Sequence, residues 1–246
     1  MKAPDRRSAE LNELGWWSRW AKLRWHGDGY LLTSDGLAEP FFNRAGAITC
    51  AGAKRTAVWA ERELSRRGVN PTFLGYEDCD ATSYLIASGY RRVDAMTVLF
   101  STGSTWKGGG RWKVEPSSSA QEWTSAYLRS FYGNEGLTEV VTPIVASLSR
   151  SPAATLLESR VDCEVAGVLA IFRTRGIAGI YCVGTTPEHR REGVATSLLA
   201  KARETAGSEG RALVLQTLIS DGVLQFYLDR GFQPSHTKAV LEKRLK

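Results

Sequence analysis

Residues 187–202 read PEHRREGVATSLLAKA, and they lie between two apolar runs, IAGIYCVGT before and RALVLQTL after. The runs have strand character, rich in β-branched and apolar residues. The stretch between them continues as a helix, with Val194, Leu198 and Ala202 on one face and Gly207 at its end. A second helix, SDGVLQFYLDRG, and a last strand, AVLEKRL, follow. Strand, helix, strand, helix, strand in succession confines the chain to an α/β (α+β) layering, with helices covering a mixed central sheet.

The entrance of the first of these helices is chemically unusual. A helix N-terminus carries unpaired backbone N–H groups and partial positive charge, and phosphates bind there readily. Close approach needs small residues, which Gly193, Ala195 and Thr196 provide, and Arg190 and Arg191 add charge. On spacing alone, an anion cradle and a solvated helix start with incidental arginines stand as equal alternatives.

Upstream, SAQEWTSAYLRSFYG reads as a helix with a serine at its start and Gly133 at its end, and LTEVVTPIVASLSR as a poorer one interrupted by Pro143. ATLLESRV and EVAGVLAIFRT read as a strand hairpin. Residues 101–120, STGSTWKGGGRWKVEPSSSA, are rich in Gly and Ser and read as a linker or long loop. Before it, residues 9–25 read as one helix carrying Trp16, Trp17 and Trp20, for which a core cluster is the expected role. Strands GYLLTS, AGAITC, PTFLGY and YRRVDAMTVLF alternate with helices AKRTAVWAERELSRRG and DATSYLIASG. SYLIASGY (83–90) and QFYLDRGF (225–232) each end a helix on glycine followed by an aromatic residue, the echo expected of a duplication. The expected division is therefore 1–105, a linker at 106–119, and 120–246.

Charge and cysteine usage narrow the function classes. The net charge of +6 is spread over both parts, with 14 basic and 12 acidic residues in 1–105 and 18 and 14 in 106–246. Without a basic tail or stripe, a dedicated nucleic-acid binder is not expected, whereas a protein holding one polyanionic small molecule is. Cys50, Cys79, Cys163 and Cys182 form no C-x-x-C pair, and three histidines do not complete a metal set, so four idle thiols and no metal are expected. No apolar run is long enough to span a bilayer and the N-terminus lacks a signal-peptide core, so a cytoplasmic protein without membrane contact is expected.

Arg190-x-x-Gly193-x-Ala195 resembles the Q/R-x-x-G-x-G/A signature of the GCN5-related N-acetyltransferase (GNAT) family, between a strand and a helix as in that family. TTPEHRREG is similar to the T-x-P-E-x-R-R-x-G form of some members, and FYLDRGF resembles the family's Y-x-x-x-G-F helix end. The resemblance covers residues 120–246 in element order. It implies an acetyltransferase domain there, and two GNAT-like halves in all, each a mixed central sheet flanked by helices.

The resemblance implies that Arg190, Arg191, Glu192, Gly193, Val194, Ala195 and Thr196 surround the pyrophosphate of acetyl-CoA. Residues Cys182, Val183, Gly184 and Thr185 would pair with the pantetheine arm. Tyr227 would protonate the leaving thiolate while a primary amine, of a small molecule or a protein, attacks the thioester directly. Ser220 stands seven residues before Tyr227, where many relatives carry an asparagine near the cofactor. The strand 176–185 lacks the glutamate that many relatives use as base, which leaves water, Tyr181 or Glu164 for that role. Cys182 as nucleophile or as packing residue, and Tyr227 as acid or as core tyrosine, stay open. His189 reads as a surface residue. A non-catalytic acyl-CoA-binding or regulatory module is the alternative from another class. In the first half, CAGAKRTA lacks the R-x-x-G-x-A spacing, and Leu85 stands where Tyr227 would align. That half is expected to wall the acceptor cleft or to pair two copies as a homodimer.

Overall fold

The computed structural model describes residues 3–102 and 108–245, so residues 103–107 of the expected linker lie outside the described residues. Along the chain the elements are α1 (Arg6–Trp17), β1 (Lys22–His26), β2 (Gly29–Thr33), β3 (Arg44–Ala47), α2 (Cys50–Ser65), β4 (Thr72–Tyr76), α3 (Asp80–Ala87), β5 (Arg91–Ser101), β6 (Val114–Pro116), α4 (Ala120–Tyr132), α5 (Thr138–Ser149), β7 (Ala154–Val161), β8 (Glu164–Thr174), β9 (Ile177–Thr185), α6 (Val194–Ser208), β10 (Ala212–Leu218), α7 (Leu224–Leu228) and β11 (Gln233–Glu242). They fall into two compact units. The first comprises Asp5–Leu99 with Gln216–Lys246, and the second Met1–Pro4 with Phe100–Leu215.

In the second unit the strand order is β10-β9-β8-β7-β6. The pairs β6–β7, β7–β8 and β8–β9 are antiparallel. β9 and β10 run parallel because α6 crosses between them, pairing Ile177–Gly179 with Ala212–Val214. A β-carbon on Gly167 would meet Val194 and Leu198 of α6, whereas one on Gly184 would meet Ser130 and Phe131 of the α4 region. Gly167 and Gly184 occupy neighbouring rows of the β8–β9 ladder. Adjacent rows point to opposite faces, so α4 and α6 cover opposite sides of the sheet. The expected β7–β8 hairpin forms, and α5 continues through Pro143.

The first unit has the order β1-β2-β3-β4-β11-β5, with β3 and β4 parallel around α2. The chain's last strand is built into it. β11 pairs antiparallel with β4, from Lys238 opposite Tyr76 to Glu242 opposite Thr72. Leu31, Leu64, Phe73, Leu85 and Leu241 form its apolar core. Beside that core lies a buried ionic cluster. Lys238 Nζ donates to Glu10 at 2.9 Å and to Glu13 at 2.6 Å, Arg44 donates to Glu13 at 2.7 Å, and the Tyr30 hydroxyl donates to Glu10 at 2.8 Å.

Three expectations are corrected here. The helix read over 9–25 ends at Trp17, and Lys22–His26 forms β1 instead, paired antiparallel with Gly29–Thr33, a tertiary pairing that overrides the local helical spacing. Trp16 and Trp20 are buried, as the core reading requires. The helix read as SDGVLQFYLDRG shortens to α7, broken at Gly222, whose φ is +67°. The four cysteines are not all idle thiols. Cys50 at the start of α2 and Cys79 before α3 are bridged, their Cα atoms 5.6 Å apart, and that spacing suits a disulfide.

Candidate functional site

β9 leads through a short turn, Pro187–His189, into the loop that opens α6. Arg191 at φ +68° and Gly193 at φ +89° are both left-handed, on either side of Glu192. Such alternation bends successive N–H groups into a concavity suited to anions. Gly193 is the N-cap of α6; no side chain caps the helix there and its first turn holds no acid. A β-carbon on Gly193 would meet no atom within 4 Å, so glycine is used for its backbone angle rather than for space.

The charged residues of the loop divide between structure and surface. Arg190 donates to the Ser130 carbonyl at 3.1 Å and to the Thr185 carbonyl at 3.5 Å, tying the tail of α4 and the end of β9 to the loop. Arg191 is exposed. The two acids nearby each face a basic partner, Glu188 with Arg129 at 3.0 Å and Glu192 with His189 at 3.2 Å.

β9 is irregular where the pantetheine residues were expected. Tyr181 pairs with Ala170 and Gly184 with Val168, so Cys182 and Val183 together face Leu169 in a bulge. Cys182 is left-handed at φ +54°. A bulge lifts its extra residue out of the ladder. Burial pushes the Cys182 thiol pKa well up, which disfavours the thiolate a nucleophile would need. Gly184 and Thr185 keep their β8 partners. Of the candidate bases, Tyr181 is buried and Glu164 is exposed at the β7–β8 turn.

Tyr227 and Ser220 belong to the first compact unit, whereas residues 182–196 belong to the second. Tyr227 is buried on α7, its ring edge-on to Phe226 and Phe232. Burial, and after it the Asp221 carboxylate, raises its pKa, so the phenol stays protonated beyond the usual tyrosine range. The Ser220 hydroxyl donates to Asp94.

One segment escaped the sequence reading. Trp112 donates its indole N–H to the Glu192 carbonyl at 2.8 Å and its backbone N–H to Ser197 Oγ at 3.0 Å. A Gly- and Ser-rich composition signals freedom from packing, and only the two tryptophans within it, at 106 and 112, could have argued otherwise.

The strand–helix–strand unit of the first half is built differently. At the start of α2, Thr49 accepts from the Gly52 N–H and donates to Asp28 at 3.0 Å. The helix is capped by its own side chain, with a carboxylate beside the cap, and Cys50 is engaged by Cys79. Leu85 is core.

Among the described residues, no group of three or more His, Cys, Asp or Glu could hold a metal ion, and no helix is long and apolar enough to cross a membrane. Residues 119–232 match the model of the acetyltransferase (GNAT) family. No curated protein matches the chain. The fold is similar to a GCN5-related N-acetyltransferase from Kribbella flavida, with TM-score 0.71, 17% identity, and 100% of this chain and 98% of that one covered. A GCN5-related N-acetyltransferase from Sphaerobacter thermophilus gives TM-score 0.68 at 15% identity over 98% and 94% of the two chains. A tandem GNAT protein from the clavulanic acid biosynthesis pathway gives 0.59 at 15% over 87% and 77%. The likeness extends through the N-terminal half, which is also GNAT-like in fold. The signature-bearing loop, the bulged strand before it and the matched segment agree: residues 119–232 form a domain of the acetyltransferase (GNAT) family.

Proposed function

We propose that the chain is an acetyl-CoA-dependent N-acetyltransferase acting on a primary amine, of a small molecule or a protein. The observation that carries this is the start of α6, uncapped and acid-free, behind a loop with left-handed Arg191 and Gly193. These features fit a diphosphate. The amides from Arg191 to Thr196 would hold it, with Arg191 supplying charge and Arg190 holding the loop. The backbone of β9 from Cys182 to Thr185, beyond the Ile177–Gly179 stretch that pairs with β10, would receive the pantetheine amides, as an added strand would be received. Acetyl-CoA, when bound, supplies an activated acyl group on a good leaving thiolate.

The protein's own part is proton handling and orientation. Tyr227 is assigned as the acid because burial keeps its proton in place at neutral pH. Water takes the amine proton in this reading, since β9 offers no acid and Glu164 lies exposed at a turn. The bulge at Cys182–Val183 would free backbone N–H groups for a developing oxyanion. In this reading 1–105 and 120–246 descend from one duplicated domain, the protein works in the cytoplasm, and a homodimer is the assembly to test. A screen of amines with acetyl-CoA, following free thiol, is the direct experiment. Thiol release dependent on an amine supports the enzyme, and tight CoA binding with no turnover on any amine would favour a binding module instead.

A further inference from the structure

We propose that Trp112 is a positioning residue for the coenzyme's diphosphate, acting through the Glu192–Gly193 peptide; this rests on the function proposed above. The geometry is a clamp on two successive peptides, Glu192–Gly193 and Gly193–Val194. The indole N–H holds the Glu192 carbonyl at 2.8 Å. The Trp112 backbone N–H meets Ser197 Oγ at 3.0 Å, and that hydroxyl donates to the Gly193 carbonyl at 3.1 Å. The peptide is trans, as no cis bond occurs among the described residues. In a trans peptide the carbonyl and the following N–H point in opposite directions. Fixing the Glu192 carbonyl on the indole therefore aims the Gly193 N–H away from Trp112.

This restraint acts on a peptide whose flanking backbone angles leave it easy to turn. Glu192 stands between left-handed Arg191 and Gly193, and a glycine at φ +89° tolerates many peptide orientations. The segment carrying Trp112 is seated closely. A β-carbon on Gly110 would lie 2.6 Å from the Ser197 Cα, so only glycine passes the helix there. The Arg111 guanidinium lies 4.9 Å from the indole centroid and covers the ring. The clamp thus pre-orders a phosphate-binding amide before the ligand arrives, which improves affinity by lowering the ordering cost on binding.

The test is calorimetry of the full chain with CoA and with adenosine 3′-phosphate 5′-diphosphate, and ligand-observed NMR with pantetheine, which lacks the diphosphate. Trp112→Phe keeps the ring and removes the indole N–H. It should weaken CoA and the diphosphate fragment alike by about three- to tenfold, the worth of one neutral hydrogen bond, and leave pantetheine unchanged. Ser197→Ala, which removes the second strut, should act in the same direction with wild-type melting behaviour. Affinity for CoA within twofold of wild type in Trp112→Phe would overturn the inference, as would an equal loss for pantetheine. Failure of the unsubstituted chain to bind CoA at all would strike the proposed function itself, a separate outcome seen before any variant is made.

Discussion

Gly193 reports on the proposed site through both its backbone angle and its missing side chain. Its φ of +89° strains any other residue, while space around it is open. Gly193→Ala should therefore weaken CoA binding only by the cost of the strain. Gly193→Glu adds negative charge at the phosphate and should lower affinity at least about tenfold beyond that; titration calorimetry giving equal affinities for the two variants would exclude phosphate contact at this turn. Tyr227→Phe keeps the packing against Phe226 and Phe232 and removes the hydroxyl. With a working acceptor, kcat should fall about 10²–10⁴-fold with CoA affinity unchanged. Because the Tyr227 pKa is raised, activity carried by its proton should persist above pH 10, where an ordinary tyrosine would have lost it. Turnover within twofold of wild type would remove Tyr227 from the reaction. The thiols should differ as well. Exposed Cys163 should alkylate quickly, Cys182 slowly, and bridged Cys50 and Cys79 only after reduction, as read by mass spectrometry of the native chain.

At the scale of elements, α6 and α2 are the same device with opposite endings. Both are crossover helices between parallel strands. α6 begins on an uncapped left-handed glycine, whereas α2 begins on Thr49, which fills the amide mouth and holds Asp28 beside it. Charge and capping both turn phosphate away from α2. A CoA titration should therefore give one site per chain, and two equivalent sites would refute this account of the first half. The absence of the R-x-x-G-x-A spacing in CAGAKRTA already signalled the difference in sequence. The Asp28–Thr49 contact did not, because it joins residues 21 positions apart. β1 was misread for a related reason. Apolar spacing over 9–25 satisfies a helix locally, and pairing with β2 decides the matter only once the hairpin closes.

For the molecule as a whole, the first unit depends on the chain's last strand. Lys238 of β11 is buried between Glu10 and Glu13. Burial alone would raise the Glu13 pKa, but the Lys238 and Arg44 charges outweigh it and hold the carboxyl below its usual value. A carboxylate with a depressed native pKa stabilises the fold above about pH 4.3 and loses that contribution as pH falls through the native value. Melting temperature should accordingly drop on acidification in the wild type. Lys238→Met leaves two buried carboxylates short of a cation and should cost about 3–5 kcal/mol at neutral pH, measured by urea unfolding; a loss below about 1 kcal/mol would show the cluster to be solvated. Residues 1–105 alone lack β11 and should give no cooperative transition. The sequence by itself determined most of the periodic elements, with β1 and the length of α7 excepted, and also the glycine-marked helix ends and the GNAT signature from Arg190 to Ala195, since these rest on neighbours within one or two turns. Tertiary structure alone decided the place of β11, the ionic cluster it completes, the Cys50–Cys79 bridge and the hold of Trp112 on Glu192. Each of these joins residues far apart in the chain, and their attraction exists only after the sheet has brought them within a few ångströms.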